Sequence, residues 1–506
     1  MDRKGSTGEE SRRPLTQLGR RHSPGPLPPY VLERSGSLYT ASRSSSQCET
    51  LPENAILDTP PGHVSGGPMG NREVLLQGFN WECSHRRDPA WYSVLASRAH
   101  EMKDAGITAV WLPPPSASVS TEGYLPGEYE CLNSSYGSEK DLRRCIKVLH
   151  ANGIKAVADV VLNHRCAGKQ DSKGRWNQYT GRYAWDAGCI CSGDEQYGGT
   201  GQPKEGSCFG AAPNVDHSNE RVRKDIKQWL SWLRSEIGFD GWRFDFVKGY
   251  SGRHVMEYIE GSSPVVVVGE FWNDCVYTNS KLEYNQDAHR QKIIDWCDAT
   301  GGTAAAFDFT TKAVLQEAVA SKEYWRLQDS HGRPPGVLGW WPSRAVTFID
   351  NHDTGSTQAH WPFPAQFLHQ GYAYILTHPG TPCLFLDHLW TDGMLKPSLW
   401  RRLRSLLQVH AKQGGMTLSS GSMLQPLRTG IFDLLKLRRR LEIHADSQVE
   451  IREANEEVYA ATVDDKLAMK IGPGAWEPSK AGINVGQKAW LLAVNGPGFM
   501  VWEAHF

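Results

Sequence analysis

Three short apolar segments of this chain run into acidic side chains, the residue type that supplies nucleophiles and proton donors in enzymes. The segment 241–246 carries Arg243 and Asp245 two residues apart, a run of four valines leads to Glu270, and a third run leads to Asp353. Alternation along a strand puts Arg243 and Asp245 on one face. A guanidinium beside a carboxylate lowers the pKa of that carboxylate, so Asp245 is expected to stay ionised. The pattern predicts carboxylate catalysis on a shared rim.

A scaffold must bring these three strand ends together, and the surrounding pattern indicates one. Strand-like runs alternate with amphipathic helical stretches that stop at glycines. Gly106 ends the stretch 91–105, and Gly153 ends a helix that a capping box, S-x-x-D at 138–141, is predicted to open. Alternating strands and helices are typical of a parallel sheet. Residues 71–400 are long enough for eight such units. We therefore predict an α/β fold, a (β/α)8 TIM barrel, whose active site lies at the C-terminal ends of the strands.

Four other segments depart from this repeat, each by its composition. Residues 1–70 are rich in Ser, Arg and Pro and are predicted to be a disordered extension. The Gly-rich stretch 164–216, called the insertion below, is predicted to be an inserted loop domain after strand 3. Residues 401–440 are basic and leucine-rich, which indicates a helical insertion with a solvated face. Residues 441–506 contain short alternating runs and are predicted to form a C-terminal antiparallel β domain, a small β-sandwich.

Charge and composition exclude several classes of partner. The 506 residues carry a net charge of -1, with a pI near 7.0, so no global field recruits nucleic acid or an anionic membrane. The mean hydropathy of -0.49 comes with no apolar run of membrane-spanning length. The 11 cysteines are scattered, as in a reduced intracellular protein. The N-terminus lacks the apolar core of a secretory signal. The expected location is the cytoplasm or a plastid, and the expected state is a monomer.

Four ordered motifs are similar to the signature regions of the α-amylase family of glycoside hydrolases. They are Asp-Val-Val-Leu-Asn-His at 159–164, the segment 241–248, Val-Gly-Glu at 268–270, and Phe-Ile-Asp-Asn-His-Asp at 348–353. Further runs, among them Gly-Trp-Trp-Pro at 339–342, resemble plant-type α-amylases. The resemblance covers roughly residues 71 to 395 and, more weakly, 441 to 506.

The resemblance implies an activity and a catalytic role for each acid. The activity is endohydrolysis of α-1,4-glucosidic bonds in starch, maltodextrins and related glucans by a retaining double displacement. Asp245 is the implied nucleophile, and Glu270 is the implied general acid and then general base. Asp353 would steady the distorted sugar and raise the pKa of Glu270.

The resemblance also implies a set of substrate contacts. His164 and His352 would bind sugar hydroxyls, Tyr124 would stack on the sugar ring, and other residues would lie on the leaving-group side or form a surface site for starch. For His164 and for the tryptophan pair, ordinary packing inside the fold is the alternative. The implied substrate-binding residues are Tyr124, His164, Arg243, Lys248, Trp272, His352, Trp340 and Trp341.

A structural calcium ion in the insertion is implied as well. The chain departs here from the family, which carries aspartates where Lys204, Cys208 and Asn214 stand. A lysine adds repulsion at a calcium site, and a thiol is a poor ligand for a hard cation. One calcium site is therefore expected, with the ligands Asn163, Asp194, Asn214 and the carbonyl group of Gly249.

Other functions are also compatible with parts of this sequence pattern. A transglycosylase or a debranching enzyme would use the same barrel. A catalytically impaired starch-binding or scaffold protein would require the altered insertion to fail. A nucleotide-binding α/β protein is disfavoured, because no Gly-rich phosphate loop follows the first strand.

Overall fold

The computed structural model describes residues 70–390 and 421–505, apart from 484, 485, 487 and 488. The predicted disordered extension 1–70, except for its last residue, lies outside the described residues. So does the first part of the predicted insertion at 401–440.

Eight parallel strands close into a barrel, which confirms the fold predicted from the alternation of strands and helices. Each strand pairs with the next along the chain, and the eighth returns to the first, with Leu75 opposite Cys383. The barrel strands are β1 (Leu75–Gln77), β2 (Ala109–Leu112), β3 (Lys155–Val160), β4 (Gly241–Phe244), β5 (Val266–Gly269), β6 (Ala305–Phe307), β7 (Ala345–Phe348) and β8 (Thr381–Phe385).

Helices follow the strands and cover the barrel, and their ends lie where local signals predict them. Asp141 N donates to Ser138 Oγ over 3.2 Å and Ser138 N donates to Asp141 Oδ2 over 3.0 Å, a reciprocal cap. Gly106 ends the first helix at a φ of 94°, which glycine adopts without steric cost. The helices are α1 (Trp91–Ala105), α2 (Glu139–Ala151), α3 (Glu220–Trp232), α4 (Gly252–Ser262), α5 (Asp287–Ala299), α6 (Phe309–Ser321), α7 (Val337–Trp340), α8 (Leu368–Thr377) and α9 (Gly421–Arg440).

Helix α9 is the described part, 421–440, of the predicted basic helical insertion at 401–440. It follows the eighth strand and packs against α8 and α1, so it belongs to the barrel wall. Its Arg438 is buried and donates to the carbonyl oxygens of Leu376, His378 and Gly380 at the end of α8. The abundance of arginine in this segment hides an apolar face with helical spacing. The buried residues of that face include Leu427, Ile431, Leu434, Leu435 and Leu437.

The C-terminal strands form one antiparallel sheet, which differs from the predicted β-sandwich. The described strands are β9 (Val449–Ala454), β10 (Tyr459–Val463), β11 (Leu467–Ile471), β12 (Ala489–Gly496) and β13 (Phe499–His505), in the order β9-β10-β11-β13-β12. Strands β11 and β13 contact α8, and β12 contacts α9. The helices thus supply the second layer that a second sheet would have supplied.

The insertion leaves the barrel after β3 and is fastened to it by backbone hydrogen bonds. Val215 N donates to Asn163 O over 3.0 Å, and Ser207 N donates to Lys248 O, also over 3.0 Å. Three short two-stranded hairpins lie in loops that follow barrel strands. They pair Ala117–Ser118 with Pro126–Glu128, Lys169–Gln170 with Trp176–Gln178, and Tyr277–Thr278 with Lys281–Leu282.

None of the ten cysteines in the described residues forms a disulfide bond. Within the same ranges, none of the helices combines the length and the apolar character needed to cross a bilayer.

Candidate active site

The three acids singled out from the sequence lie at the carboxyl ends of barrel strands. Asp245 follows β4 directly, Glu270 follows β5, and Asp353 lies in the loop after β7. Asp245 and Glu270 are buried, whereas the side chain of Asp353 is 25% exposed. The acids therefore lie on the face of the barrel where enzymes of this fold place their chemistry.

Arg243 contacts two of these acids, Asp245 and Glu270, and a further carboxyl group, that of Asp159. Its Nη1 atom lies 2.7 Å from Asp245 Oδ1, and its Nη2 atom lies 2.7 Å from Glu270 Oε1. Nη1 also lies 3.1 Å from each carboxylate oxygen of Asp159. The Arg243 side chain has no exposed surface, so its charge is screened little by water. One guanidinium thus holds three carboxyl groups from three neighbouring strands.

Asp159 was not among the site residues predicted from the sequence. It opens the 159–164 motif, and its Oδ2 accepts hydrogen bonds from Tyr124 Oη (2.8 Å) and Trp111 Nε1 (3.0 Å). Asp159 stands opposite Arg243 in the pairing of β3 with β4. The pairing register of these two strands places Asp159 in the site, and a single sequence does not reveal that register.

Burial dominates the electrostatics of the cluster. It raises the pKa of Asp159, Asp245 and Glu270, and the charge of Arg243 opposes that rise. Arg243 lowers the pKa of Asp245, as expected from the sequence, but burial of the carboxyl group has the larger effect and the net direction is upward. Asp245 further raises the pKa of Glu270. The rise is shared by the whole cluster, because burial and the charge of Glu270 also raise the pKa of Asp353.

Two predicted sugar contacts form an aromatic layer beside the acids. The rings of Tyr124 and His352 lie 5.1 Å apart and within 6° of parallel, and Trp81 lies parallel to both. Gln77 Nε2 lies 2.8 Å from His352 Nδ1, and His352 Nε2 lies 3.4 Å from Asp353 Oδ2. Trp81 was not predicted as a site residue, because no motif surrounds it.

His164 is placed less favourably for a sugar contact. Its ring is buried under Phe209, with ring centroids 3.8 Å apart, and its Nε2 lies 2.8 Å from the carbonyl oxygen of Tyr124. Burial lowers the pKa of His164 to about 4, so the ring is neutral at pH 7. Contact between His164 and a sugar requires Phe209 to move, and that contact stays a prediction.

The two residues predicted on the leaving-group side lie near Glu270. The charge of Lys248 lowers the pKa of Glu270, and burial lowers the pKa of Lys248 itself. Trp272, two residues after Glu270, is half-buried and stacks on Phe309, with ring centroids 5.2 Å apart.

The tryptophan pair predicted as a starch site is largely covered. Trp341 is only 7% exposed, and Trp340 is half-buried. The guanidinium carbon of Arg290 lies 3.6 Å from the ring centroid of Trp340, and that of Arg344 lies 5.4 Å from Trp341. The two rings therefore do not form an exposed flat pair, and a surface role rests on the outer part of Trp340.

The residues predicted to bind calcium lie close together but do not fit the ion. Lys204 Nζ donates to Asn163 Oδ1 over 2.6 Å, so an ammonium group already occupies this ligand oxygen. Asn214 Oδ1 accepts from Phe209 N, and Asn214 Nδ2 donates to Phe209 O, each over 2.9 Å. Asp194 is half-buried, and burial raises the pKa of its carboxyl group. Across the described ranges, three or more acidic, histidine or cysteine side chains nowhere gather into a metal site.

Family profiles match two parts of the chain. The profile described as "Alpha amylase, catalytic domain" matches residues 95–197, and "Alpha-amylase C-terminal beta-sheet domain" matches residues 440–503. The second match coincides with the five-stranded sheet and the end of α9.

Two relatives from Arabidopsis thaliana are each 46% identical to the chain. "Alpha-amylase 3, chloroplastic" aligns over 89% of this chain and 46% of its own length. "Probable alpha-amylase 2" aligns over 85% of this chain and 94% of its own length. The chain thus spans about half of the first relative and most of the second.

Solved structures confirm the architecture. An α-amylase from Malbranchea cinnamomea superposes with a TM-score of 0.58 at 16% identity, covering 86% of this chain and 96% of that one. A γ-CGTase from Alkalophilic bacillus clarkii gives a TM-score of 0.54 at 19% identity, covering 82% and 64%. At such low identity the likeness concerns the fold alone.

Proposed function

The chain belongs to the α-amylase family of glycoside hydrolases, and we propose that it cleaves internal α-1,4-glucosidic bonds of starch and maltodextrins with retention of configuration. The observation that carries this proposal is the contact of Arg243 with both Asp245 and Glu270, each at 2.7 Å. Retention needs two carboxyl groups on opposite sides of one bond, about 5–5.5 Å apart. Two nitrogens of a single guanidinium are suited to hold such a pair.

In the proposed reaction Asp245 is the nucleophile, and Glu270 is the general acid and then the general base. A carboxylate oxygen of Asp245 attacks the anomeric carbon while Glu270 gives its proton to the departing glycosidic oxygen. Glu270 then takes a proton from water, and the water oxygen displaces Asp245 from the same carbon. The raised pKa of Glu270 supports its first role. Asp353, next to His352, would stabilise the positive charge that develops on the sugar.

The proposed substrate contacts follow the same geometry. Tyr124 and His352 would bound the sugar at the cleaved bond, and Lys248 and Trp272 would meet the leaving part of the chain. His164 would contribute only after a shift of Phe209, because Phe209 stacks on its ring.

α-Amylases generally use calcium, but the residues predicted here as its ligands do not fit the ion, because the ammonium group of Lys204 lies among them.

The decisive experiment follows new reducing ends and their anomeric form when the purified full chain acts on soluble amylose. Early α-configured oligosaccharides of mixed length support a retaining endohydrolase. Products of β configuration would exclude the mechanism. Asp245→Asn should abolish release of reducing ends, whereas Asp295→Asn, which changes an exposed acid on α5, should match the wild type.

One observation favours a second candidate, a catalytically impaired starch-binding protein. Phe209 covers His164, a residue that the family resemblance assigns to sugar binding. A folded protein that binds amylose in an affinity gel and releases no reducing ends would establish this candidate.

We also propose an intracellular monomer, with a plastid location favoured by the chloroplastic label of one relative. A fluorescent protein fused behind residues 1–70 would show the compartment in leaf cells. Light scattering during gel filtration would report the mass in solution.

A further inference from the structure

A lysine side chain enters the place where calcium ligands were expected. Lys204 lies in the insertion, is half-buried, and donates from Nζ to Asn163 Oδ1 over 2.6 Å. Asn163 itself is fully buried just after β3. A hydrogen bond from a charged donor to a buried oxygen is among the stronger ones in proteins. Lys204 therefore links the insertion to the barrel through its charge.

The neighbouring backbone leaves little space around this contact. A Cβ atom added to Gly249 would lie 1.9 Å from Asn163 Oδ1, and one added to Gly206 would lie 2.4 Å from the carbonyl oxygen of Lys248. Ser207 N donates to that same carbonyl oxygen over 3.0 Å. The loop that carries Lys204 thus lies directly on the segment after β4, and the ammonium group connects it to the end of β3.

The remaining oxygens do not make up a calcium shell. Calcium takes six to eight oxygen ligands, usually with several carboxylates. Asp194 is the only carboxylate among the four predicted ligands, and both polar atoms of the Asn214 amide are bound to the backbone of Phe209.

The charge around Lys204 also disfavours a second cation. In the part of the chain that the structure describes, Lys204 has no carboxylate within ion-pair distance, and Asn163 is its hydrogen-bond acceptor. The groups that face it are Cys191, Cys208 and the nearby Glu205, together with His164 and His217. Two cations that shared this partly dry space would repel each other strongly.

We propose that the ammonium group of Lys204 takes the place of the structural calcium ion, so that the insertion stays fastened to the barrel without metal. This proposal rests on family membership and on the contacts of Lys204, and it is independent of the proposed activity. Its tests therefore measure stability and metal content, which an inactive protein would report equally well.

The first test compares the full chain in calcium chloride and in a calcium chelator. The wild-type Tm should be the same in both, and elemental analysis of dialysed protein should find far less than one calcium per chain. A Tm that rises by several degrees with calcium, or a stoichiometric ion in the dialysed protein, would overturn the proposal.

The second test removes the charge and keeps the aliphatic stem. Lys204→Met should lower the Tm by a few degrees in either buffer and speed protease cleavage between residues 164 and 216. The matched control is Lys173→Met, an exposed lysine of the same insertion, which should change neither quantity. If Lys204→Met and Lys173→Met behave alike, Lys204 does not fasten the insertion and the proposal fails.

The third test restores a carboxylate. Lys204→Asp adds a second acid near Asp194 and Asn163, so this variant should melt lower than the wild type in chelator and recover with calcium. A Tm of Lys204→Asp equal to that of the wild type in chelator would contradict the proposal. If this variant does not fold in chelator, the loss agrees with the proposal, and Lys204→Met decides independently.

Discussion

Asp159 and Arg243 occupy paired positions on neighbouring barrel strands, and both carboxylate oxygens of Asp159 lie 3.1 Å from Nη1 of Arg243. Through its hydrogen bond to Tyr124 the same carboxyl group also reaches the aromatic layer. Asp159 is thus a positioning residue, because it orients both the guanidinium that holds the two acids and the ring beside them.

Asp159→Asn should lower kcat for amylose about 10- to 100-fold, by analogy with the residues that orient the ligands of metal sites. The amide NH₂ cannot accept the hydrogen bond from Arg243, so the guanidinium loses part of its support. KM should change less than kcat, and a matching unfolding midpoint would show that the fold is kept. A kcat within twofold of the wild type would show that Asp159 does not position the catalytic residues.

Lys248→Met should shift the pH profile of kcat in one direction only. The positive charge of Lys248 lowers the pKa of Glu270, so its removal raises that pKa. Glu270 then keeps its proton to higher pH, and the alkaline limb should move upward by up to about one unit. Lys292→Met, at an exposed site on α5, is the control and should leave the limb in place. A downward shift would contradict the assignment of Glu270 as general acid.

Trp340→Ala and Trp341→Ala should separate starch adsorption from packing. Trp341 is buried, so its truncation should lower the free energy of unfolding by about 3–5 kcal/mol. Trp340 is half-buried, so its truncation should cost less stability. Sedimentation with starch granules would show whether Trp340→Ala weakens adsorption while the rate on soluble amylose is kept. Unchanged adsorption would assign both rings to packing.

Arg438→Leu should destabilise the protein by roughly 3 kcal/mol or more in urea unfolding. Three buried carbonyl groups at the end of α8 lose their donor, and each unpaired group costs about 1–3 kcal/mol. Arg439→Leu, at the exposed neighbouring position, should stay within about 0.5 kcal/mol of the wild type. Equal stability of the two variants would show that the hydrogen bonds from Arg438 do not stabilise the end of α8.

Features set by neighbours in the chain could be predicted from the sequence. The cap between Ser138 and Asp141, the glycine stop at Gly106 and the acids at strand ends all depend on residues a few positions apart. Their chemistry is local, and eight strand–helix units that repeat this local pattern determine the barrel.

Features set by distant neighbours could not be read in this way. Asp159 belongs to the site because β3 and β4 pair in one register, and His164 is covered because the insertion places Phe209 on it. Trp340 and Trp341 look alike in the sequence, but Arg290 of helix α5 covers Trp340. For α9, the arginines obscured an apolar face whose partner, α8, lies more than forty residues earlier.

The segment before β1 pairs with the segment that joins α9 to β9. Ala445 N donates to Asn71 O over 2.7 Å, and Gly380 N donates to Ala445 O over 3.0 Å. His378 Nε2 lies 2.8 Å from the hydroxyl of Tyr459 in the sheet. During synthesis the segment leading into β1 therefore lacks one of its partners until Ala445 has left the ribosome. The barrel is therefore completed late in translation. Its first strands remain longest without all of their partners, and the exposed strand edges of such an intermediate are the kind of surface that chaperones bind.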